Sequence, residues 1–406
     1  MENLNLINEK KGAVLKSAEF LFSTRGFNQT TVADIAKASG IHEASIYSYF
    51  NNKRNILFAI YGRYLQNAIE TLNEHFQGMK EPGPKLRKTI WHYLADMKNN
   101  PNYARILMMA QRENPDFYAS EYVQFVKQYS GLILRIIITG QKEGLFRSDI
   151  SPRLIRNMGM GTSVFAVFDS IVHDHHYDPN ELSDQLYQLL LNATGAGPTN
   201  VEVNEKPHKT GRAELRRSQI IETAIQVFSD KGFSNATISE VAKHANLGDA
   251  TLYEYFDSKE AILLGTAESY LKELVSEEDI NLLNISKIEK ALQKLIWRWI
   301  WLLYTHEDFS RVLALELFRN INFYSSPAYG YIEAFSEKIR GVIQQGQEEG
   351  IFIDDVPFPT YLHMITGTFD QYLLSQFLLN TPPLGLAELT DIVDSLVRAI
   401  KVRDNL

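Results

Sequence analysis

The chain has 406 residues, is 45% hydrophobic and 11% aromatic, and carries a formal net charge of −8 at pH 7. This length is too great for one hydrophobic core, and the apolar content is sufficient for several packed domains. The chain has no cysteine, which excludes disulfide bonds and thiolate metal sites and fits a reducing cytoplasm.

The sequence favours neither secretion nor membrane insertion. The first residues, MENLNLINEKKG, lack the apolar segment of a signal peptide. The most apolar run, LIWRWIWLLY at 295–304, contains Arg298 and is shorter than the roughly 18 residues that indicate a membrane helix. We therefore expect a cytoplasmic protein without membrane association.

Taken in chain order, apolar residues recur at helical spacing from one end of the chain to the other. The predicted helices end at glycine, proline or asparagine, which break helices or start turns. No stretch alternates β-branched and polar residues over a useful length, so strands are not expected. In the first half we predict helices at 9–25, 32–39, 43–49, 53–76, 84–98, 102–113, 119–143, 152–176 and 180–193. The second half follows the same plan, and the sequence predicts an all-α protein.

The second half repeats the first half at a constant offset of 206 residues. Phe22 corresponds to Phe228, and Tyr47 corresponds to Tyr253. The register persists far along the chain, since GQKEGLF at 140–146 recurs as GQEEGIF from residue 346. A repeat of this length indicates a duplicated protein, not a solenoid unit.

The stretch GAGPTNVEVNEKPH at 195–208 has no apolar periodicity and begins with glycine and proline, so we interpret it as a linker. Its 14 residues can span at most roughly 50 Å. The predicted domains are a small helical domain at 1–53, a larger α-helical domain at 54–194, the linker at 195–208, a second small helical domain at 209–259 and a second larger α-helical domain at 260–406.

Each half opens with a helix-turn-helix pattern. In the first copy, Thr30 and Thr31 precede a short helix, and Gly40 suits the tight turn that follows because glycine adopts left-handed conformations at least cost. IHEASIYSYF then forms a third helix, and Lys53 begins a fourth. The third helix of such a motif enters the major groove of DNA. The residues expected to form the small core are Phe22, Ile35, Ala36, Ile41, Ile46 and Phe50.

Both motifs resemble the DNA-binding region of the TetR family of bacterial repressors. The resemblance rests on GFNQTTVADIAKASGIHEASIYSYFNNK at 26–53 and GFSNATISEVAKHANLGDATLYEYFDSK at 232–259. It implies a helix-turn-helix domain followed by a helical effector and dimerisation domain in each half. It also implies double-stranded operator DNA and a small, mostly apolar effector as partners, no cofactor, and association with the nucleoid when the protein is bound to DNA.

The resemblance assigns phosphate contacts to hydroxyl, phenol and ammonium groups near helix N-termini, which can donate to phosphate oxygens. These residues are Thr31, Ser45, Tyr47 and Lys53 in the first head and Thr237, Thr251, Tyr253 and Lys259 in the second head. Removal of Lys53 is expected to lower both DNA affinity and its salt dependence. The positions expected to face base edges are His42, Glu43 and Ser48 in the first head and Gly248, Asp249 and Glu254 in the second head.

The two heads are not equivalent, because Ser48 of the first head corresponds to Glu254 of the second. Glutamate can accept a hydrogen bond from cytosine N4, but it repels phosphates. The second head therefore either reads a different half-site or has lost strong DNA binding. We favour the first interpretation, since the phosphate positions are kept and a basic arm at 206–217 precedes the second head.

The acidic net charge does not exclude DNA binding, because the charge is unevenly distributed. Residues 1–58 hold seven Lys and Arg against five Asp and Glu. Small basic surfaces of this kind predict DNA binding with a moderate salt dependence.

The remainder of each half contains large apolar residues beside an arginine. They suit an apolar effector cavity with a polar anchor, although an ordinary helical core would contain the same residues. NPDFYASEYV at 114–123 and GQKEGLFRSDISP at 140–152 are similar to the fatty-acyl-CoA-responsive members of the TetR family. The candidate effector residues are Trp91, Met97, Met108, Met109, Arg112, Phe125 and Phe168 in the first half and Trp297, Trp301, Phe318, Arg319 and Phe369 in the second half.

The last two helices of each half carry apolar faces, and in the TetR family such helices pair between subunits. We therefore expect the two halves to form an intramolecular pseudodimer, with further association or exchange of halves between chains left open. The paired helices would be 152–176 with 180–193 and 358–380 with 386–402.

Other functions are less well supported by the sequence. HDHHYD at 173–178 places His173 and His176 one helical turn apart, but a polar helix end explains the pattern equally well and no metal site is expected. No arrangement of nucleophile and base is evident, so we do not expect an enzyme. The alternative function is a non-enzymatic ligand-binding or interaction protein that has lost sequence-specific DNA binding, which the acidic Glu43, Asp249 and Glu254 would favour.

Overall fold

The computed structural model describes residues 2–110, 117, 120–195, 215–275 and 287–402, with side chains throughout except at 2–7, 108–110, 215–216 and 319. Over these residues the chain is helical, with short 3-10 turns and an isolated antiparallel bridge between Phe352 and Lys401. The prediction of an all-α protein is confirmed. No described helix is both long and apolar enough to cross a membrane.

The described residues of the first repeat form nine α-helices. They are α1 (Glu2–Arg25), α2 (Val32–Ser39), α3 (Glu43–Tyr47), α4 (Lys53–His75), α5 (Pro82–Asn99), α6 (Pro101–Ala110), α7 (Val123–Lys142), α8 (Pro152–Val172) and α9 (Pro179–Thr194).

The described residues of the second repeat form helices in the same order. They are α10 (Leu215–Lys231), α11 (Ile238–His244), α12 (Asp249–Tyr253), α13 (Lys259–Leu271), α14 (Ile288–Thr305), α15 (Glu307–Leu315), α16 (Pro327–Glu348), α17 (Phe358–Leu379) and α18 (Leu386–Ala399). Short 3-10 segments occupy Lys272–Val275, Leu317–Arg319 and Ile321–Ser325.

Most predicted helix bounds in the first half agree with the structure to within four residues, but α1 begins at Glu2, seven residues before the predicted start at residue 9, and the predicted helix end at residue 113 lies outside the described residues. The helix expected at 152–176 ends at Val172. Asp174 has a φ of +54°, a left-handed conformation that stops a right-handed helix. His173 and His176 are therefore not one helical turn apart, and that part of the sequence interpretation was wrong. The predicted linker and most of the basic arm at 206–217 lie outside the described residues.

The chain divides into two compact units, Met1–Arg156 with Ser163–Tyr187 and Asn157–Thr162 with Gln188–Leu406. Each unit contains one complete helix-turn-helix head. The buried side chains of the helical bodies include Leu86, Ile90, Leu94, Ile133 and Ile137 in the first unit and Leu292, Leu295, Ile339, Leu389 and Leu396 in the second unit.

The second unit contains a close approach between two helices at glycine. Gly161 lies against the backbone of Gly367, and a Cβ added at either position would overlap the other backbone. In the same unit, the side-chain amide of Asn192 donates to the carbonyl oxygen of Ala399 at 3.2 Å. Glycine is required at this crossing because any larger residue would force the backbones apart.

Candidate nucleic-acid interface

The first head is a three-helix cluster held by a small apolar core. Five of the six predicted core residues are buried, and Ile41 is half-buried. Gly40 has the expected left-handed conformation, with a φ of +68° at the end of α2. In the second head Asn246 takes this position with a φ of +55°. Asparagine tolerates this conformation better than most residues, so the turn between the second and third helices is retained in both heads.

The second helix of each head begins with a capping box. The backbone N–H of Asp34 donates to Thr31 Oγ1 at 3.1 Å, and the backbone N–H of Thr31 donates to Asp34 Oδ2 at 2.9 Å. Thr237 and Glu240 make the same pair of bonds in the second head. These bonds satisfy N–H groups that have no partner within the helix. The two threonines are thus helix caps, and their predicted phosphate contacts would be made from that position.

An ion pair supports each capping box. Arg25 lies 3.9 Å from Asp34 in the first head, and Lys231 lies 2.5 Å from Glu240 in the second. The hydrogen bond from Lys231, together with the backbone N–H of Thr237, lowers the pKa of Glu240 to about 2. The carboxylates therefore stay ionised at neutral pH, and each cancels one positive charge on its head.

The third helices, α3 and α12, each expose a tyrosine to solvent, next to a buried apolar residue that holds the helix on the head. Tyr47 and Tyr253 are 50% and 51% exposed, whereas the preceding residues Ile46 and Leu252 are fully buried. A large aromatic side chain that is half exposed at the same position of both heads fits a contact with an external partner. Ser45 and Thr251 lie on the same two helices and are partly exposed.

In the first head, the positions predicted to face bases are polar. His42 is exposed and caps α3, since the backbone N–H of Ala44 donates to its Nδ1 at 3.3 Å. This bond leaves the ring proton on Nε2, where it can be donated outward. Ser48 is exposed at the other end of α3 and donates to the carbonyl oxygen of Ser45 at 2.7 Å. Glu43 lies between them and is partly exposed.

In the second head, the corresponding positions differ in size and charge. Gly248 occupies the start of α12 without a side-chain cap. Asp249 accepts a hydrogen bond from Ser239, which ties α12 to α11. Glu254 is exposed at the end of α12. Of the two acidic residues predicted to face bases in this head, Asp249 is thus held by a neighbouring side chain, whereas Glu254 lies exposed at the helix end.

The structure places Lys53 and Lys259 differently from the other predicted contacts. The ammonium group of Lys53 donates to the carbonyl oxygens of Phe27, Asn28 and Thr30, at 2.6, 3.4 and 2.8 Å. It also lies 4.3 Å from the centre of the Phe27 ring. Burial lowers the pKa of this lysine.

Lys259 makes the equivalent bonds to Phe233, Ser234 and Ala236, and burial also lowers its pKa. Each lysine thus closes the turn that leads into the second helix of its head. Sequence reasoning missed this role, because the spacing between Phe27 and Lys53 does not reveal which groups the fold brings together.

The second head is also held by residues of its own helical domain. Glu316, just after α15, accepts a hydrogen bond from the backbone N–H of Phe233 at 3.0 Å. Asn320 and Asn322 both donate to Glu260 Oε1 at 2.8 Å, and these bonds lower the pKa of Glu260. We call the three residues Glu316, Asn320 and Asn322 the polar latch.

Charge differences between equivalent positions of the two repeats could have indicated the polar latch. At the offset of 206 residues, Glu316 corresponds to Ala110 and Glu260 corresponds to Arg54. In the second repeat, these two positions lie where the helical domain meets the head.

The predicted effector residues lie in several different environments in the described part of the chain. Trp91 donates from its indole nitrogen to Asn180 and lies under the ammonium group of Lys88, whereas Met97 is buried. Phe125 and Phe168 are partly exposed. In the second half, Trp297, Phe318 and Phe369 are buried, and Trp301 stacks on Trp297. Arg112 and the side chains of Met108, Met109 and Arg319 lie outside the described residues.

A cavity of about 240 Å³ lies elsewhere in the second unit. Its lining includes Arg340, Gln347, Asp354 and Tyr361 and none of the predicted effector residues. The effector site therefore stays a prediction.

Comparison with known proteins identifies both heads. The family model described as bacterial regulatory proteins of the TetR family matches residues 14–60 and 220–266. The model described as the C-terminal region of YsiA-like proteins matches residues 61–193.

Two curated relatives match over most of their own length. The fatty acid metabolism regulator protein of Bacillus subtilis is 25% identical over 178 residues, which cover 44% of this chain and 92% of that protein. The HTH-type transcriptional repressor NicS of Pseudomonas putida is 30% identical over 162 residues, which cover 36% of this chain and 73% of that protein.

Among solved structures, FadR from Bacillus subtilis in complex with stearoyl-CoA is 25% identical with a TM-score of 0.41, and the match covers 44% of this chain and 96% of that chain. With one copy of the family's DNA-binding region at the start of each repeat, this chain belongs to the TetR family of bacterial regulatory proteins and is a DNA-binding transcriptional regulator made of two TetR-like halves in tandem.

Proposed function

We propose that this protein is an effector-released repressor of the bacterial cytoplasm in which one chain supplies both heads to one operator. The observation that carries this proposal is the glycine crossing in the second unit. Gly161 and Gly367 are equivalent residues of the two repeats, separated by 206 positions. In a symmetric dimer, a residue contacts its own equivalent only at the two-fold axis. The crossing therefore supports an approximate two-fold axis between α8 and α17.

One chain would then provide what related proteins obtain from two subunits. The covalent link gives each half a high effective concentration at the other half, so the pairing surface need not be strong. The amide bond from Asn192 to Ala399 supports the same pairing, because these residues lie near the ends of α9 and α18. Further association of pseudodimers would then be an additional step, not a requirement for DNA binding.

The heads would bind DNA through the exposed faces of α3 and α12. Tyr47 and Tyr253 would donate to phosphates from their exposed positions, and Ser45 and Thr251 lie on the same helices. His42 would offer a donor to an acceptor such as guanine N7, whereas Glu254 would accept from cytosine N4. The two heads would therefore read unlike half-sites of one operator.

We propose a fatty acyl derivative, such as an acyl-CoA, as the effector. The support is the relative from Bacillus subtilis, which is named as a fatty acid metabolism regulator and matches over 92% of its length. The match of residues 61–193 to the C-terminal region of YsiA-like proteins places the relevant similarity in the first helical domain. The pocket would be apolar, with the predicted aromatic and methionine residues around it.

In the second half, the polar latch offers a route from the helical domain to the head. Its residues flank Phe318, one of the predicted effector residues, and they hold the head at Phe233 and Glu260. A ligand that shifts the 317–325 segment would change these bonds and reorient α12. Such a shift releases DNA only if the ligand binds the released state more tightly than the DNA-bound state.

Fluorescence anisotropy on the DNA upstream of the protein's own gene tests the proposal. We expect salt-dependent binding that is specific over shuffled DNA and is reversed by long-chain acyl-CoA, with free CoA as the matched control. Specific binding that ignores acyl-CoA of every chain length would remove the effector assignment. Binding that does not distinguish upstream DNA from shuffled DNA would favour the interaction protein that has lost sequence-specific reading.

A further inference from the structure

The end of α8 brings three metal-binding side chains together in the first unit. Nδ1 of His173 lies 2.9 Å from Asp169 Oδ1, and Nδ1 of His175 lies 2.9 Å from Asp169 Oδ2. One ligand atom from each of the three residues falls within 4.8 Å of the other two. The cluster appears because the helix stops at Val172 and Asp174 turns the chain back, so that His175 reaches Asp169.

The spacing is close to what a tetrahedral ion needs. Nitrogen and oxygen ligands of Zn²⁺ lie at roughly 2.0–2.2 Å, so two ligand atoms of a tetrahedral site are about 3.3 Å apart. Small side-chain rotations bring the two imidazoles and one carboxylate oxygen to that spacing. The fourth position is left for water.

Solvent can reach the cluster, which an exchangeable ion requires. The side chains of Asp169, His173 and His175 are 22%, 33% and 69% exposed. The cluster also sits at the carboxyl end of α8, where the unpaired carbonyl groups and the helix dipole favour a positive charge.

The loop that carries the histidines is anchored to the rest of the unit. The hydroxyl of Tyr177 donates to the carbonyl oxygen of Leu94 at 2.9 Å, and Lys98 donates to the carbonyl oxygen of Tyr177 at 3.0 Å. Asp178 then accepts from the backbone N–H groups of Asn180 and Glu181 at the start of α9. An anchored loop loses little conformational freedom when it binds an ion, so the ligands are preorganised.

We propose that Asp169, His173 and His175 bind one divalent transition-metal ion of the Zn²⁺ type. Two imidazoles and one carboxylate suit Zn²⁺, Co²⁺ or Ni²⁺, whereas Mg²⁺ and Ca²⁺ prefer oxygen ligands alone. The ion joins the end of α8 to the loop before α9, and this site revises the sequence expectation that the chain binds no metal.

The second repeat provides a natural control for this site. Asn380, which corresponds to Asp174, has a φ of +51°, so the same turn ends α17. The residues that correspond to the three ligands are Ser375, Leu379 and Thr381, which do not form such a ligand set. Both helices are therefore followed by a left-handed residue at the equivalent position, whereas the ligand set belongs to the first repeat alone.

Titration of the full-length protein with ZnCl₂ at pH 7.5, followed by calorimetry, tests the proposal. We expect one Zn²⁺ per chain, and Co²⁺ should give the visible absorption of a four-coordinate site. His173→Ala or His175→Ala should weaken binding at least tenfold, while His42→Ala leaves it unchanged. Lowering the pH to 5.5 should also weaken binding, because the imidazoles must be neutral to coordinate. Circular dichroism of each variant establishes that the helices are intact.

A gain-of-site variant makes the test independent of any loss of folding. The triple variant Ser375→Asp, Leu379→His and Thr381→His places the ligand set on the equivalent turn, and it should bind two Zn²⁺ per chain. A folded wild-type protein that takes up no Zn²⁺, or single variants that bind as tightly as the wild type, would overturn the proposal. A stoichiometry that remains at one in the triple variant would show that the turn does not create the site.

Discussion

At the scale of single residues, the lysine at the start of α4 and its counterpart at the start of α13 close a turn. The ammonium group of Lys53 has three protons and three carbonyl oxygens within hydrogen-bond distance. A phosphate oxygen could be bound only in exchange for one of these carbonyl oxygens. Lys53 is therefore a positioning residue for Thr31 and α2.

Replacement of Lys53 distinguishes a structural role, in which it closes the turn of the head, from a contact with a DNA phosphate. We expect Lys53→Ala to lower the free energy of unfolding by about 1–2 kcal/mol, because it leaves carbonyl groups without their charged donor. DNA affinity should fall while the salt dependence of binding stays the same, since no phosphate charge loses its partner. Thermal unfolding and anisotropy at several salt concentrations measure both effects.

Tyr47→Phe is the matched comparison for Lys53→Ala. The hydroxyl of Tyr47 is on an exposed side chain, so its removal should weaken DNA binding and leave the Tm unchanged. The slope of the logarithm of DNA affinity against the logarithm of salt concentration distinguishes the two roles. If Lys53→Ala lowered this slope by roughly one with no change in Tm, Lys53 would contact a phosphate.

At the scale of elements, the polar latch joins the helical domain of the second repeat to the second DNA-binding head. Glu316 accepts the backbone N–H of Phe233 across 83 positions of sequence. We expect Glu316→Ala to loosen the second head, speed hydrogen exchange at the Phe233 amide and weaken operator binding about three- to tenfold, which corresponds to about 1 kcal/mol for a lost bond.

Glu337→Ala is the control for the latch variant, because Glu337 is paired with Arg340 on the surface of α16. Surface pairs of this kind contribute little to stability. Equal exchange rates at Phe233 in Glu316→Ala and in the wild type would mean that the latch does not hold the head.

A half-buried histidine on α5, His92, gives the first unit a defined response to acid. Burial, with smaller contributions from His75 and Lys88, lowers the pKa of His92 to about 4. In the unfolded chain the pKa of a histidine is about 6.5, so the unfolded state takes up a proton first as the pH falls. The contribution of His92 to stability is therefore complete above about pH 6.5 and is lost progressively between pH 6.5 and 4.

His92→Leu should remove this part of the pH dependence. We expect the wild type to lose about 1 kcal/mol more stability than the variant between pH 7 and pH 5, a value that allows for the partial exposure of the ring. Urea unfolding at both pH values measures the difference, with His176→Leu on the exposed loop as the control. If the free energy of unfolding changed with pH equally in the wild type and in His92→Leu, His92 would not be the source of this loss of stability.

The features that the sequence predicted correctly are those set by the preferences of single residues and their near neighbours. Gly40 and Thr31 predicted the turn and the cap of the first head, because their conformational and hydrogen-bonding preferences act over a few residues. The early end of α8 before Asp174 was not predicted, because aspartate adopts the left-handed conformation only occasionally. The contacts of Lys53 and Glu316 could not be predicted, because each depends on residues that only the fold brings close.

At the scale of the whole molecule, the proposed pairing of the two repeats depends on the glycine crossing within the second unit. Gly161→Ala adds a Cβ that would overlap the backbone of Gly367. We expect α8 and α17 to separate at this point, with a loss of about 1–3 kcal/mol in stability and weaker operator binding. Differential scanning calorimetry and anisotropy measure these changes.

Gly131→Ala is the control, because the added Cβ would meet only the guanidinium of Arg135 at 3.5 Å, an ordinary contact distance. Alanine also suits the interior of a helix better than glycine, so this variant should be neutral or slightly more stable. A Gly161→Ala protein as stable as Gly131→Ala would argue against a close crossing at Gly161.

In the proposed arrangement one chain brings two unlike heads to one operator, and the sequence of that operator can test the arrangement. A site selected from random DNA is compared with two artificial palindromes, each made by duplicating one half-site, at fixed salt and with stoichiometry from native mass spectrometry. We predict one chain per site and tighter binding to the selected site than to either palindrome, because α3 carries His42 and Ser48 where α12 carries Gly248 and Glu254. Two chains on the selected site, or equal binding to both palindromes by one chain, would show that one chain does not read two unlike half-sites.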